Sequence, residues 1–501
     1  MYPSSIMNNS DARRLAWALA LGTGLIYIAF LSPGIYSVDG NSILAVAESI
    51  VTQHNLTVPA GLGIPGRNGQ IYSSWYPLQS VLAVPFVFTA SLISRFLHAP
   101  LHFVAAALVG VMPALFTAAT VALVALIALR LGSTLQAARR TSLCFAAGTI
   151  AMVYARTFYA DPLLSLLVAA GIYFVFVRSN RTILLASLVA LLAVLAKPTG
   201  IFLAPALSGY LLLKKTPALL ALRPALGGGL GLLLYFAYNF LRFANPLTFG
   251  QPWVFSFSAL PEGIAGLLFS PGRGIIWYSP VVLLAIPAFR KAWKAKPVEA
   301  LLIASLFLGF LGLHSLYENW HGGWSWGPRY LLPTLPGLMA LMGLLEGRAA
   351  KALLFLSFLG FLVNAPTLIS FYERYYAEAN EQGISDSQLY WSFDHAPLLH
   401  GWGAAAREIS DARNQDVREI FHQRSTPSET ISSSRALRIV AVWWWVLPIV
   451  HIPRFVGFVC SLAMVVCGFW LLFRVRIRSP ILVGQNLGND NPDNSCPPAN
   501  A

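Results

Sequence analysis

Residues 101–130 read LHFVAAALVGVMPALFTAATVALVALIALR, an apolar run with His102 at its start and Arg130 at its end. As a helix rising about 1.5 Å per residue, it exceeds the roughly 30 Å of a bilayer's hydrocarbon core. Working outward, the same texture recurs along the chain. Of 501 residues 56% are hydrophobic and 11% charged, where soluble proteins carry about 25% charged residues to cover their surface. Those figures exclude a soluble enzyme, a disordered chain and a collagen. The four cysteines exclude a disulfide scaffold. Cys144, Cys460 and Cys467 lie in apolar stretches and read as small packing residues; Cys496 lies in the tail. The expected fold class is all-α, a polytopic membrane protein.

Stretches long enough to span lie at 15–35, 101–130, 141–158, 161–178, 183–197, 200–213, 225–241, 274–289, 298–315, 329–346, 352–369 and 455–473. They predict about twelve transmembrane helices, with about eleven to fourteen allowed by the soft boundaries of the shorter ones. Arg13 and Arg14 precede the first, and no small-residue cleavage site follows it, so it reads as an uncleaved span. The net charge of +14 comes from cations clustered between apolar runs. That pattern suits anionic headgroups and membrane orientation rather than nucleic acid. With the N-terminus inside, the short inner loops collect most of the 34 Lys and Arg, among them Arg139, Arg140, Lys214, Lys215, Arg290 and Lys291. This holds only if 78–97 lies on the outer face without crossing. The Trp443-Trp444-Trp445 segment within 436–452 is likewise expected at the interface.

The domain plan follows. Residues 1–369 form a transmembrane module whose first outer loop is 36–97. Residues 370–436 form a polar outer loop or small cap. Residues 437–478 carry the interfacial aromatics and the last span. Residues 479–501, rich in Asn and Pro, are expected to be a disordered cytoplasmic tail.

Acids are scarce in such a chain, and ionisable groups at membrane depth are costly, so their positions point to function. Half of the 20 carboxylates fall in 370–436. The outer side of the helical body holds Asp39, Glu48, Asp161, Glu262 and Glu318. Asp39 opens what reads as an amphipathic surface helix, with Ile43, Leu44, Ala47, Ile50 and Val51 on one stripe and Ser42, Glu48, Ser49, Thr52 and Gln53 on the other. Either Asp39 or Asn41 caps that helix, or Asp39 does chemistry. Asp161, before Pro162, likewise reads as a cap or as a functional acid. Four cations stand at the same face, Lys197, Arg242, Arg273 and Arg329. They either snorkel to headgroups or form a phosphate clamp, for which guanidinium forks and an ammonium suit. The aromatic clusters Tyr72–Tyr76 and Trp320–Trp326 are belts or sugar-stacking platforms. His54, His314 and His321 show no metal-motif spacing, so no cofactor is expected and a divalent metal has no support. No phosphate-cradling glycine loop, nucleophile elbow or dinucleotide fingerprint occurs.

These stretches resemble the C-type (GT-C) polytopic glycosyltransferases that use a polyprenyl-phosphate sugar donor, with lipid A aminoarabinose transferases and protein O-mannosyltransferases among the nearest kinds. The matching features are an acid after the first span (Asp39) followed by Ala45-Val46-Ala47-Glu48-Ser49-Ile50, and the stretch Tyr72 to Pro77 leading into 78–97. Also matching are Tyr159-Ala160-Asp161-Pro162-Leu163, Ala196-Lys197-Pro198, and Gly327-Pro328-Arg329-Tyr330-Leu331-Leu332-Pro333. The resemblance covers about residues 10–345. It departs from the family where Gly40 follows Asp39 in place of a second acid. It departs again where Trp75-Tyr76-Pro77 replaces Lys-Pro, which removes one expected phosphate-binding lysine.

What the resemblance implies is inverting transfer of a glycosyl group to a lipid, cell-envelope glycan or protein acceptor, at the exterior face of the cytoplasmic membrane. A phosphate-linked leaving group has a second pKa near 6 and needs no acid, so one base and several cations suffice. Asp39 is the implied base, with Asp161 orienting the acceptor or sharing that role. Lys197, Arg329, Arg242, Arg273 and Tyr76 are the implied donor and phosphate contacts. Glu48 and Glu318 are the further acids to consider. Two other classes compete. A lipid-diphosphate-dependent ligase or polymerase would use a loop histidine such as His395 or His400. A transporter or flippase would place polar groups at mid-membrane depth and show internal pseudo-symmetry.

Overall fold

The structure is a computed structural model, and it describes residues 9–250, 254–412 and 439–474. The expected tail at 479–501 and the end of the polar loop beyond 412 lie outside the described residues. The described chain is almost entirely helical. Its one sheet is a two-stranded antiparallel pair in the first outer loop, Ile64–Pro65 with Ile71–Tyr72, in the register Ile64 opposite Tyr72.

Among the described residues, six helices are long and apolar enough to cross a membrane: Pro77–Leu97, Leu101–Leu131, Ala218–Phe243, Pro297–Leu316, Gly347–Leu368 and Arg454–Arg474. Shorter apolar helices lie at Asp161–Val177, Asn180–Ala196, Pro198–Leu213 and Phe257–Phe269. The chain is an integral membrane protein by this composition, and among the described residues six long, continuous apolar helices stand against the twelve or so expected spans. The stretch expected at 274–289 breaks into Ile275–Tyr278, a 3-10 turn Pro280–Leu284 and Ala285–Ala295. The stretch at 329–346 is a 3-10 turn, Arg329–Thr334, followed by Leu335–Met342. Proline lacks an N–H and clashes with the preceding turn, and Pro280 and Pro333 stand in these breaks. The stretch at 141–158 divides after Gly148 into Leu135–Gly148 and Ala151–Tyr154. Pro77–Leu97, expected to lie on the outer face, is also long and apolar enough to cross. Trp443–Val450 is an eight-residue 3-10 turn, too short to cross.

Packing in such a core rests on small residues that let backbones approach. Arg223–Phe243 crosses Asn180–Ala196 at Gly227 and Gly231. A Cβ on Gly227 would lie 2.1 Å from the Ser187 carbonyl oxygen, and one on Gly231 would lie 2.6 Å from that of Leu191. Lys197 follows directly on the end of Asn180–Ala196. Val38–Thr52 is buried on more than one stripe. Ser42 and Ser49, expected on the wet side, donate hydrogen bonds of 2.6 Å to the carbonyls of Leu62 and Thr57. The first outer loop therefore folds back over this helix's polar side, and the helix does not lie open on a surface. The polar segment after 370 folds into Tyr372–Glu381, Asp386–Trp391 and Pro397–Asp411. Arg374, braced by Glu378 on its own helix (2.7 Å), ties the first of these to the third through Glu408.

Candidate active site

A cavity of about 1190 Å³ opens where the first outer loop, the starts of several helices and the polar segment meet. Asp39, Tyr76, Asp161, Lys197 and Arg329 all line it.

Asp39 sits in the first turn of Val38–Thr52, yet it does not cap that helix. Ser37 is the N-cap, its hydroxyl accepting from the Gly40 N–H at 3.1 Å. Asn41 donates to the Ile35 carbonyl at 3.2 Å. The Asp39 carboxylate instead accepts from Arg329 at 2.9 Å. Asp161 opens Asp161–Val177, whose N-cap, Ala160, makes no side-chain capping bond. Asp161 is buried and pairs with Lys197 Nζ at 2.7 Å. The capping alternative therefore describes neither acid.

The two cations are set by their local sequence. Pro198 pushes the preceding residue into extended backbone, and Lys197 adopts φ −166°, ψ 129°. Its ammonium lies over the Tyr330 ring, 4.5 Å from the centroid. Arg329 begins the 3-10 turn after Trp326-Gly327-Pro328. Tyr154 anchors that approach, its hydroxyl accepting from Trp326 N–H at 3.1 Å and donating to the Trp326 carbonyl at 3.0 Å. The Arg329 guanidinium lies 4.5 Å over Tyr159. Its Nε–H has no hydrogen-bond partner among the described residues. Gly322, at φ +73°, approaches that nitrogen, and a Cβ there would come to 3.2 Å of it. Glycine adopts this left-handed conformation without strain.

The remaining expected residues fall elsewhere. Arg242 is fully buried and off the cavity. It donates to the carbonyls of Ser73 and Trp75 and to Asn239 Oδ1 at 2.8 Å. Arg273 is also fully buried and off the cavity. It donates to the carbonyls of His321 (2.8 Å), Gly323 (2.6 Å) and Gly272 (2.9 Å), and to the Tyr376 hydroxyl. Both arginines staple loops whose other faces line the cavity. Glu318 is exposed and off the cavity. Glu48 pairs with His102 at 3.0 Å, and only His102 lines the cavity. His395 and His400 do not line it either. Among the described residues no three His, Cys, Asp or Glu side chains gather in a metal-binding group.

Two lining residues were not legible as site residues. Glu373, the second residue of Tyr372–Glu381, is buried in the cavity wall. Burial pushes its carboxyl up to about 7, opposed by its own backbone N–H, Tyr372 and Arg156. His321 accepts from the Gly323 N–H at 3.2 Å and stacks on Tyr390 at 4.4 Å. Burial and Arg273 bring it down to about 3, so it stays neutral. The signal for Glu373 was faint: it is one acid among ten in a polar segment, marked only by Phe371-Tyr372 before it.

Chemically, the cavity offers two carboxylate–cation pairs and a third acid, Glu373. Its apolar side is lined by Ile35, Ile43, Leu101, Phe103 and Ala106, and it carries aromatic rings beside the charges.

No protein-family model matches the sequence, and no curated protein matches it. Among solved structures, the chain is similar to ArnT from Cupriavidus metallidurans bound to undecaprenyl phosphate. The identity is 17%, over 91% of this chain and 90% of that one, with a TM-score of 0.51. The apo state of the same protein is 16% identical over 90% of this chain and 75% of that one, with a TM-score of 0.47. The first likeness shows the fold: the chain shares the helical, GT-C-like architecture of that protein.

Proposed function

We propose that this protein transfers a glycosyl group from a polyprenyl-phosphate-linked sugar to an acceptor hydroxyl, with inversion, at the exterior face of the cytoplasmic membrane. The observation that carries this reading is the pairing of Asp39 with Arg329 and of Asp161 with Lys197 in one partly apolar cavity. The shared fold with a protein crystallised with undecaprenyl phosphate supports the donor class.

The acceptor oxygen attacks the anomeric carbon and gives its proton to Asp39. The bond from that carbon to the phosphate oxygen breaks, and its electron pair leaves on the phosphate. Arg329, with its unpartnered Nε–H, meets the growing phosphate charge, where a fixed donor in a dry site stabilises most. An incoming phosphate competes with Asp39 for the guanidinium and so releases the carboxylate for proton transfer. Lys197 holds Asp161 in place to orient the acceptor. The apolar side between Val38–Thr52 and Leu101–Val109 takes the start of the isoprenoid tail. The acceptor is a lipid, an envelope glycan or a protein.

The test is sugar transfer in membranes containing the overexpressed protein, supplied with labelled polyprenyl-phosphate sugars and an envelope extract. Wild type consumes a donor, and an equally well inserted Asp39→Asn variant does not. Equal consumption by both would remove Asp39 as base. Failure of both with every monophosphate donor would sink the reading.

A further inference from the structure

His314 lies near the end of Pro297–Leu316, 2% exposed, with its ring in the cavity wall. Its Nδ1 is 2.8 Å from the Phe310 carbonyl oxygen. A carbonyl only accepts, so Nδ1 carries the proton. The ring is held between Tyr330, stacked at 4.4 Å and 20°, and Phe310, at 5.9 Å and 25°. Nε2 is buried and has no hydrogen-bond partner among the described residues. The same Tyr330 ring has Lys197 Nζ at 4.5 Å and the Arg329 guanidinium at 5.4 Å. Asp161 and Asp39 are taken up by those two cations, and no acid reaches Nε2 among the described residues, so nothing stabilises a second ring proton and Nε2 presents a bare lone pair.

A buried acceptor without a donor is costly, and the substrate class above offers few donors. The diester phosphate that joins sugar to lipid has only acceptor oxygens. The isoprenoid has no polar atoms. An ammonium would go to the carboxylates Asp39 and Asp161 rather than to a neutral ring nitrogen. The acceptor's reacting hydroxyl gives its proton to Asp39, and the sugar's hydroxyls are what remain. We infer that His314 Nε2 accepts a hydrogen bond from a hydroxyl of the donor sugar, making it a positioning and specificity residue that seats the sugar ring against Tyr330. The inference rests on the proposed donor class and assigns the sugar's side of the cavity. A site built to pair one hydroxyl rejects analogues that lack it.

The experiment is binding to the purified full chain, without acceptor. The ligands are bare undecaprenyl phosphate and its glucose, galactose and mannose derivatives. Wild type is expected to bind at least one glycosylated lipid about 10-fold more tightly than the bare lipid. His314→Phe keeps the ring stack and loses the acceptor. It should abolish that preference while binding the bare lipid within about twofold of wild type, which shows the site intact. His314→Gln, which keeps an acceptor, should retain part of the preference. Removing one hydroxyl from the preferred sugar should cost wild type the same factor and cost His314→Phe nothing further.

A preference kept in His314→Phe overturns the inference, because a bound water then satisfies Nε2. So does loss of bare-lipid binding in both variants, which would assign the histidine to the phosphate side. If wild type binds and transfers none of these lipids, the donor class itself falls, and the inference falls with it.

Discussion

Arg242 and Arg273 differ from Lys197 and Arg329 in one respect that linear sequence does not display. All four are buried cations at helix ends or turns on the same side of the helical body. Arg242 and Arg273 donate mainly to backbone carbonyls, and neither reaches the cavity. Lys197 and Arg329 each face a carboxylate, and Arg329 keeps a donor without a partner among the described residues. A guanidinium whose forks are filled by carbonyls is a loop staple, because moving it leaves several buried acceptors unpaired. One that faces a carboxylate can exchange that partner for another anion. The comparison teaches that a buried cation near a site is chemical only where a ligand can compete for its partner.

The largest expected effect is on the carboxylate side of that contrast. Asp39→Asn should lower turnover by about 10²–10⁴-fold, the range of a positioned general base. Its thermal midpoint should move far less than its rate, since the amide oxygen still accepts from Arg329. Rates of sugar transfer in reconstituted vesicles, read beside thermal unfolding, check both halves. A rate loss that only tracks unfolding would erase the difference between the two kinds of cation.

The staples should behave the opposite way. Arg273→Ala takes the charged donor from the carbonyls of His321, Gly272 and Gly323, which keep only the neutral donors Ser325 Oγ–H, Tyr278 O–H and Ser325 N–H. Charge-assisted hydrogen bonds contribute about 1.5–3 kcal/mol each, so the variant should lose at least about 3 kcal/mol of stability. The folded remainder should keep a larger fraction of wild-type turnover than Asp39→Asn does. Detergent unfolding curves with activity normalised to folded protein separate the cases. A variant of normal stability and no turnover would move Arg273 into the chemistry.

Much of this was legible beforehand for a physical reason. In a chain with so little charge, each acid on the outer side of the helical body stands out. Asp39 and Asp161, with Lys197, Arg329 and Tyr76, do meet in one cavity. Arg242 was not separable from Arg329, because only the folded loop at Ser73–Trp75 fills its donors. Glu373 was hidden for the opposite reason. It lies where acids are plentiful, and its burial depends on how the polar segment docks. The apolar runs at 274–289 and 329–346 carried their prolines in plain view, yet hydropathy outweighed them in the reading of spans.

Glu373 tests whether an acid in the same cavity behaves differently when its cation is occupied. Arg156 is the nearby cation, but its two terminal nitrogens donate to the carbonyls of Thr367 and Ala441, and only its Nε–H has no partner among the described residues. Burial raises the Glu373 carboxyl from an ordinary 4.5 to about 7. Between those values the unfolded chain has released a proton that the folded chain holds, so stability falls as pH rises through this window. At one pKa unit per 1.36 kcal/mol the loss is up to about 3 kcal/mol, levelling off above the folded value. Glu373→Gln mimics the protonated form and should remove the decline. Thermal midpoints at pH 5 and pH 8 should diverge for wild type and stay level for the variant. A parallel decline in both would show that Glu373 does not titrate in that window.

The smallest effect belongs to Glu48. Its pair with His102 has the geometry of the other two, at 3.0 Å, but the His102 side chain is 54% exposed. Water screens such a pair, and exposed ion pairs contribute about 0–1 kcal/mol. Glu48 also lies behind the cavity rim, where it meets no reacting atom. Glu48→Gln should therefore leave turnover within about twofold and stability within about 0.5 kcal/mol, the usual range for surface changes. A large loss of turnover at unchanged stability would mean that His102, held by Glu48, orients the acceptor at the rim. The line between working and supporting charges would then run through exposure less cleanly than the buried cations suggest.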